Sequence, residues 1–186
     1  MSNEDSGRRV TRGVFIGVAA MTVIVAASNF LVQFPINDWL TWGALIYPIA
    51  FLVTDLTNRS LGPGPARRVI YVGFALAVLL SAVLATPRIA LASGSAFLVA
   101  QLLDVSIFNY LRGRVWWLPP LVSSTIGSTV DTFIFFGLAF AGTSVPWITL
   151  AIGDLGVKLV LALLMLIPFR AFMTIIPKSL PSRSAQ

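Results

Sequence analysis

Long apolar runs separated by short polar breaks make up nearly the whole chain. The runs cover about residues 13–34, 39–56, 69–86, 89–111, 118–141 and 148–169. At 1.5 Å of rise per residue, each is close to the ~20-residue helix that crosses a bilayer. The pattern predicts an all-α integral membrane protein of six transmembrane helices. Residues 1–12 then form a polar, disordered N-terminal tail, 13–169 the six-helix transmembrane domain and 170–186 a polar C-terminal tail. Pro35-Ile36-Asn37-Asp38, Gly62-Pro63-Gly64-Pro65 and residues 141–146 read as turns. Pro48 lies inside the second run, where it removes a backbone donor and predicts a kink. A signal peptide cleaved near Val25-Ala26-Ala27 is the rival reading of the first run, although apolar residues continue beyond that point.

Charge changes the picture in one respect, the orientation. Only 11% of the 186 residues are charged and 57% are hydrophobic, against about 25% charged in a soluble domain. The net charge of +6 invites a nucleic-acid partner, but its distribution argues against one. With six crossings, Arg8, Arg9, Arg12, Arg59, Arg67, Arg68, Arg112, Arg114, Arg170, Lys178 and Arg183 fall on one side. Arg88 alone falls in the opposite loops. That is the positive-inside pattern, so both termini are expected in the cytoplasm and the partner is the lipid bilayer. The chain has neither cysteine nor histidine, which excludes disulfides, Cys or His nucleophiles, the usual zinc sites and histidine proton relays. No metal and no cofactor is expected.

The polar residues within the runs are the candidate chemistry. Ser124, Gly127, Ser128, Asp131 and Phe135 share one helical face, and Asp131 lies roughly 20 Å into its span. A carboxylate near mid-bilayer costs about 3 kcal/mol on insertion scales, so it is expected to face a bundle interior or a cavity. The plainer alternative is a small-residue stripe for helix packing, with Asp131 hydrogen-bonded structurally. The fourth run carries Gln101, Asp104 and Asn109, and Asp104 has no basic partner within four residues. Asp154 and Lys158 stand at i, i+4 and predict an ion pair, structural or coupling; Asp55 and Arg59 share that spacing near the cytoplasmic end. Carboxylates accept, amides donate and accept, and Phe97, Phe135 and Trp117 offer flat faces. Together they suit a small polar heteroaromatic solute.

Several spaced motifs carry a resemblance. They are Tyr47-Pro48-Ile49-Ala50-Phe51-Leu52-Val53-Thr54-Asp55-Leu56-Thr57-Asn58-Arg59, Phe97-Leu98-Val99-Ala100-Gln101-Leu102-Leu103-Asp104-Val105, Trp116-Trp117-Leu118 and Asp131-Thr132. Over residues 34–158 the chain resembles the queuosine precursor transporters, earlier grouped as vitamin uptake transporters. The resemblance implies a bacterial inner-membrane protein that imports 7-cyano-7-deazaguanine, and the 7-aminomethyl form, for salvage into transfer-RNA queuosine. It implies an architecture similar to the substrate-binding components of energy-coupling-factor vitamin transporters, working without their ATPase partners. Asp55, Gln101, Asp104 and Asp131 match the family's Asp and Gln positions.

Two other classes stand beside it. A binding subunit of a multi-component vitamin transporter would need a separate ATPase, and no phosphate-binding loop occurs in this chain. An intramembrane aspartyl protease would need Gly-x-Gly-Asp, but Ala151 precedes Ile152-Gly153-Asp154 and no Tyr-Asp pair supplies a second carboxylate. The chain is therefore not expected to be an enzyme. Gly- and Ser-bearing faces on the fourth and fifth runs suit pairing between protomers, so a homodimer is the expected assembly.

Overall fold

A computed structural model describes residues 3–84 and 86–175 of the chain. The first apolar run forms α1 (Asn3–Leu31), which takes in most of the polar segment read as a disordered tail. A short hairpin follows, β1 (Pro35–Asn37) and β2 (Leu40–Thr41), where a turn is expected. The Asn37 side chain accepts from the Trp39 amide at 2.9 Å and closes it.

The second run is two helices rather than one kinked span. α2 (Trp42–Ile46) ends at Tyr47-Pro48, and α3 (Ile49–Leu61) restarts beyond the proline, which has no amide hydrogen to continue the ladder. Gly62-Pro63-Gly64-Pro65 also differs from the expected free turn. Gly62 takes φ 91° to close α3, and Pro63 opens α4 (Pro63–Leu84) at once, so Arg67 and Arg68 sit within a helix. α5 (Pro87–Leu111) and α6 (Leu118–Phe140) match their runs. The last run divides at Met165 into α7 (Trp147–Leu164) and α8 (Leu166–Ile175). Arg170 is therefore helical, while the rest of the expected C-terminal tail, with Lys178 and Arg183, lies outside the described residues.

Four segments, Gly7–Leu31, Pro87–Leu111, Leu118–Phe140 and Trp147–Thr174, are long and apolar enough to cross a membrane. α5 packs most extensively on α6, α1 on α4, and α6 on α7. One apolar cluster joins Met21, Phe51, Val69, Ile70 and Phe97; a second, around Phe135, Phe136 and Leu150, lies towards the hairpin. Phe15, Leu79, Val83, Leu91, Phe133 and Ile167 point outward, as a hydrocarbon-facing surface requires. The hairpin is seated on α7. Thr149 donates to the Asp38 carbonyl at 2.9 Å, and a Cβ at Gly153 would stand 1.8 Å from the Trp39 oxygen.

Candidate solute-binding site

Two polar layers lie inside the bundle. The first is built where α6, α7 and the Tyr47-Pro48 break meet. Lys158 Nζ stands 2.8 Å from Asp131 Oδ2 and 2.6 Å from Asp154 Oδ2. Thr132 donates to Asp154 Oδ2 at 2.8 Å and accepts from Lys158 at 3.1 Å. The Tyr47 hydroxyl donates to Asp131 Oδ1 at 2.7 Å, and its ring centroid is 5.0 Å from Lys158 Nζ. All five side chains are buried. The i, i+4 ion pair expected on α7 is present, and Asp131 joins it across helices. Two carboxyl groups share one ammonium, and the hydroxyls of Tyr47 and Thr132 supply the donors that a buried pair needs.

The second layer lies towards α8 and joins α3, α5 and α6. Asp55 accepts from Ser124 at 3.2 Å and from Ser123 at 3.4 Å, and it interacts electrostatically with Asp104. Both Asp104 oxygens are fully buried, with Asp55 and Ser123 as their polar neighbours and no well-formed hydrogen bond to either. One turn earlier on α5, Gln101 Oε1 accepts from Thr54 at 2.5 Å while its Nε2 has no partner. A buried donor without a partner, such as the Gln101 amide, costs about 1–3 kcal/mol in a folded chain, which singles out this layer among the buried polar groups. Asn58 ties the layer down: its Nδ2 donates to the Val105 carbonyl at 3.3 Å, and Arg112 donates to its carbonyl at 2.7 Å and to its side-chain oxygen.

Two small cavities, each with room for about one water molecule, flank the first layer. The one near α8 is lined by Asp55, Ser124 and Ser128 with Phe51, Pro48 and Phe169. The one near the hairpin is lined by Asn29, Ser93, Tyr47, Asp131, Asp154 and Phe135.

Some candidates stay outside. Asn109 is exposed and accepts from Arg112 at 3.2 Å. Trp117 is 40% exposed at the start of α6, and buried Phe97 stacks on Phe74 with centroids 6.1 Å apart. Arg59 forms no ion pair with Asp55, whose oxygens face Ser123 and Ser124. Burial, and then the like charge of Arg59, holds the Arg112 guanidinium below its usual range. Sequence reasoning passed over Tyr47, Thr132 and the Ser93–Asn29 bond of 2.5 Å. A tyrosine beside a helix-breaking proline, and an amide, Asn29, within the first apolar run, were the available signals.

The chain matches the family described as "Putative vitamin uptake transporter" over residues 41–86 and 80–173, a region that holds both polar layers. It belongs to that family. It is 36% identical to the "Probable queuosine precursor transporter" of Haemophilus influenzae, over 78% of this chain and 79% of that one. It is 34% identical to the "Queuosine precursor transporter" of Escherichia coli K12, over 78% and 79%. A Bacillus subtilis "Probable queuosine precursor transporter" is 30% identical over 55% and 57%. No solved structure matches the chain. Membership and the apolar helices make it a multi-pass membrane protein of a transporter family, and not an enzyme.

Proposed function

We propose that the chain imports the queuosine precursors 7-cyano-7-deazaguanine and 7-aminomethyl-7-deazaguanine across a bacterial inner membrane. The observation that carries this is the buried polar layer of α3 and α5, the unpartnered Gln101 amide one turn from the neighbouring Asp104 and Asp55 carboxylates, with Asp55 lining the cavity near α8. A guanine-like base presents neighbouring N–H donors and a carbonyl acceptor along one edge. A carboxylate takes the donors and an amide NH₂ serves the carbonyl. The names of the relatives support the same solute class. Topology follows the same reading: α1, the broken α2–α3 unit, α4, α5, α6 and the α7–α8 unit make six crossings, with both termini on the basic, cytoplasmic side.

Thermal unfolding of the purified protein with 7-cyano-7-deazaguanine, guanine, biotin and riboflavin tests this. The deazaguanine is expected to raise the midpoint most, and cells lacking the protein are expected to lose its uptake. Stabilisation by a vitamin and not by the deazaguanine overturns the reading. Co-purification of an ATPase pair needed for uptake would place the chain among binding subunits instead.

A further inference from the structure

The two cavities meet at one side chain. Lys158 lines both, whereas Asp55, Ser124 and Ser128 line only the cavity near α8, and Ser93, Tyr47 and Asp131 only the other. The geometry points to a two-chambered path through the membrane, with the Tyr47–Asp131–Lys158–Asp154 network as the barrier that a solute must part. This rests on the transport reading but not on which solute is carried.

Three features support the assignment. The network joins elements far apart in sequence, the α2–α3 break, α6 and α7, so opening it separates structural units rather than turning one side chain. Both chambers carry nearly fully buried polar groups, Ser93 and Asn29 on one side and Asp55 and Ser128 on the other, so each can hold a water in this closed arrangement and offers polar partners once the barrier parts. The barrier also has an intrinsic selectivity. Parting an ammonium from two carboxylates in a low-dielectric interior is costly unless the entering molecule replaces both partners. A heteroaromatic with an acceptor edge for Lys158 and a donor edge for Asp131 does so; an apolar molecule or a bare ion replaces at most one. Binding energy realised only in the opened state then drives the opening.

The absence of cysteine makes the test direct, because one introduced thiol is the only thiol. Ala44 lines the hairpin-side chamber and Ala162 the chamber near α8, and neither belongs to the polar network. Ala44→Cys and Ala162→Cys proteins are treated with a small charged methanethiosulfonate in right-side-out and inverted membrane vesicles. Each thiol is expected to react from one face only, and from opposite faces. Combining Ala162→Cys with Asp131→Asn, Asp154→Asn and Lys158→Met removes every charge of the network without stranding one. Labelling from the formerly closed face is then expected to rise roughly tenfold. Tyr47→Phe, which keeps the ring and the ion pairs, is the second variant, with an expected rise of about threefold. One-sided labelling in both variants, each eluting as folded protein, overturns the barrier assignment. So does reaction of both parent thiols from the same face. No solute is present, so failure of deazaguanine transport leaves this result standing.

Discussion

Lys158 and Asp131 stand 27 positions apart in sequence and 2.8 Å apart in space, with both side chains almost wholly buried. Asp154 shares the same ammonium at 2.6 Å. The pair therefore ties α6 to α7 at a point where both charges are sealed from bulk solvent.

Removing the shared cation is the severe change. Lys158→Met strands two carboxylates and is expected to cost about 3–5 kcal/mol, the usual effect of breaking a buried pair from one side. Asp154→Asn leaves the Lys158–Asp131 pair intact and is expected to cost about 1 kcal/mol, as for one ordinary hydrogen-bonded contact. Thermal unfolding in detergent ranks them. Equal losses would mean that Asp131 does not depend on Lys158.

The carboxylate on α5 behaves in the opposite way. Asp104 is buried beside the like-charged Asp55, so Asp104→Asn relieves desolvation and repulsion and is expected to stabilise the empty protein by about 1 kcal/mol. On the proposed reading the same change also removes an acceptor for the base edge, and it is expected to weaken deazaguanine binding by roughly tenfold or more. Calorimetric titration together with the unfolding midpoint reads both. A variant that loses stability while keeping affinity would make Asp104 a structural group.

Much of this was legible before the structure. Run lengths located α1, α5 and α6 because a bilayer demands about 20 apolar residues, but not the breaks at Pro48 and Met165 that divide the second and last runs; i, i+4 spacing gave the Asp154–Lys158 pair because both stand on one helix. Spacing misled for Asp55 and Arg59, since Asp55 faces α6 and its serines instead. Tyr47 was hidden because its role depends on contact with Asp131, 84 positions away, which no local pattern encodes. Phe97 packs on Phe74, as an aromatic within an apolar run does as readily as on a solute, and no local pattern separates the two.

The seat of the hairpin on α7 gives a sharp contrast between two glycines. A Cβ at Gly153 would meet the Trp39 carbonyl, oxygen at 1.8 Å and carbon at 2.7 Å, so Gly153→Ala must lift the hairpin. A loss of about 1–3 kcal/mol is expected, with faster proteolysis between residues 35 and 41. Gly156 meets nothing within 4 Å, and Gly156→Ala is expected to stabilise by up to about 1 kcal/mol through helix propensity alone. Identical effects of the two substitutions would mean that the hairpin does not rest on Gly153.

Arg112 offers a way to separate holding the site from forming it. It ends α5, yet it donates to the Asn58 carbonyl at 2.7 Å and to the Asn58 side chain, so one guanidinium serves the last turn of α3. Asn58 in turn bonds the Val105 carbonyl, which sets α3 against α5 beside Asp55 and Asp104. Arg112→Lys keeps the charge but cannot present the planar fork to two acceptors, and is expected to cost about 1–2 kcal/mol. Because Arg112 lines neither cavity, affinity for the solute is expected to stay within about twofold once the protein is folded. Binding measured well below the variant's unfolding midpoint decides it. A large loss of affinity at full folding would show that the α3–α5 clamp tunes the polar layer rather than merely supporting it.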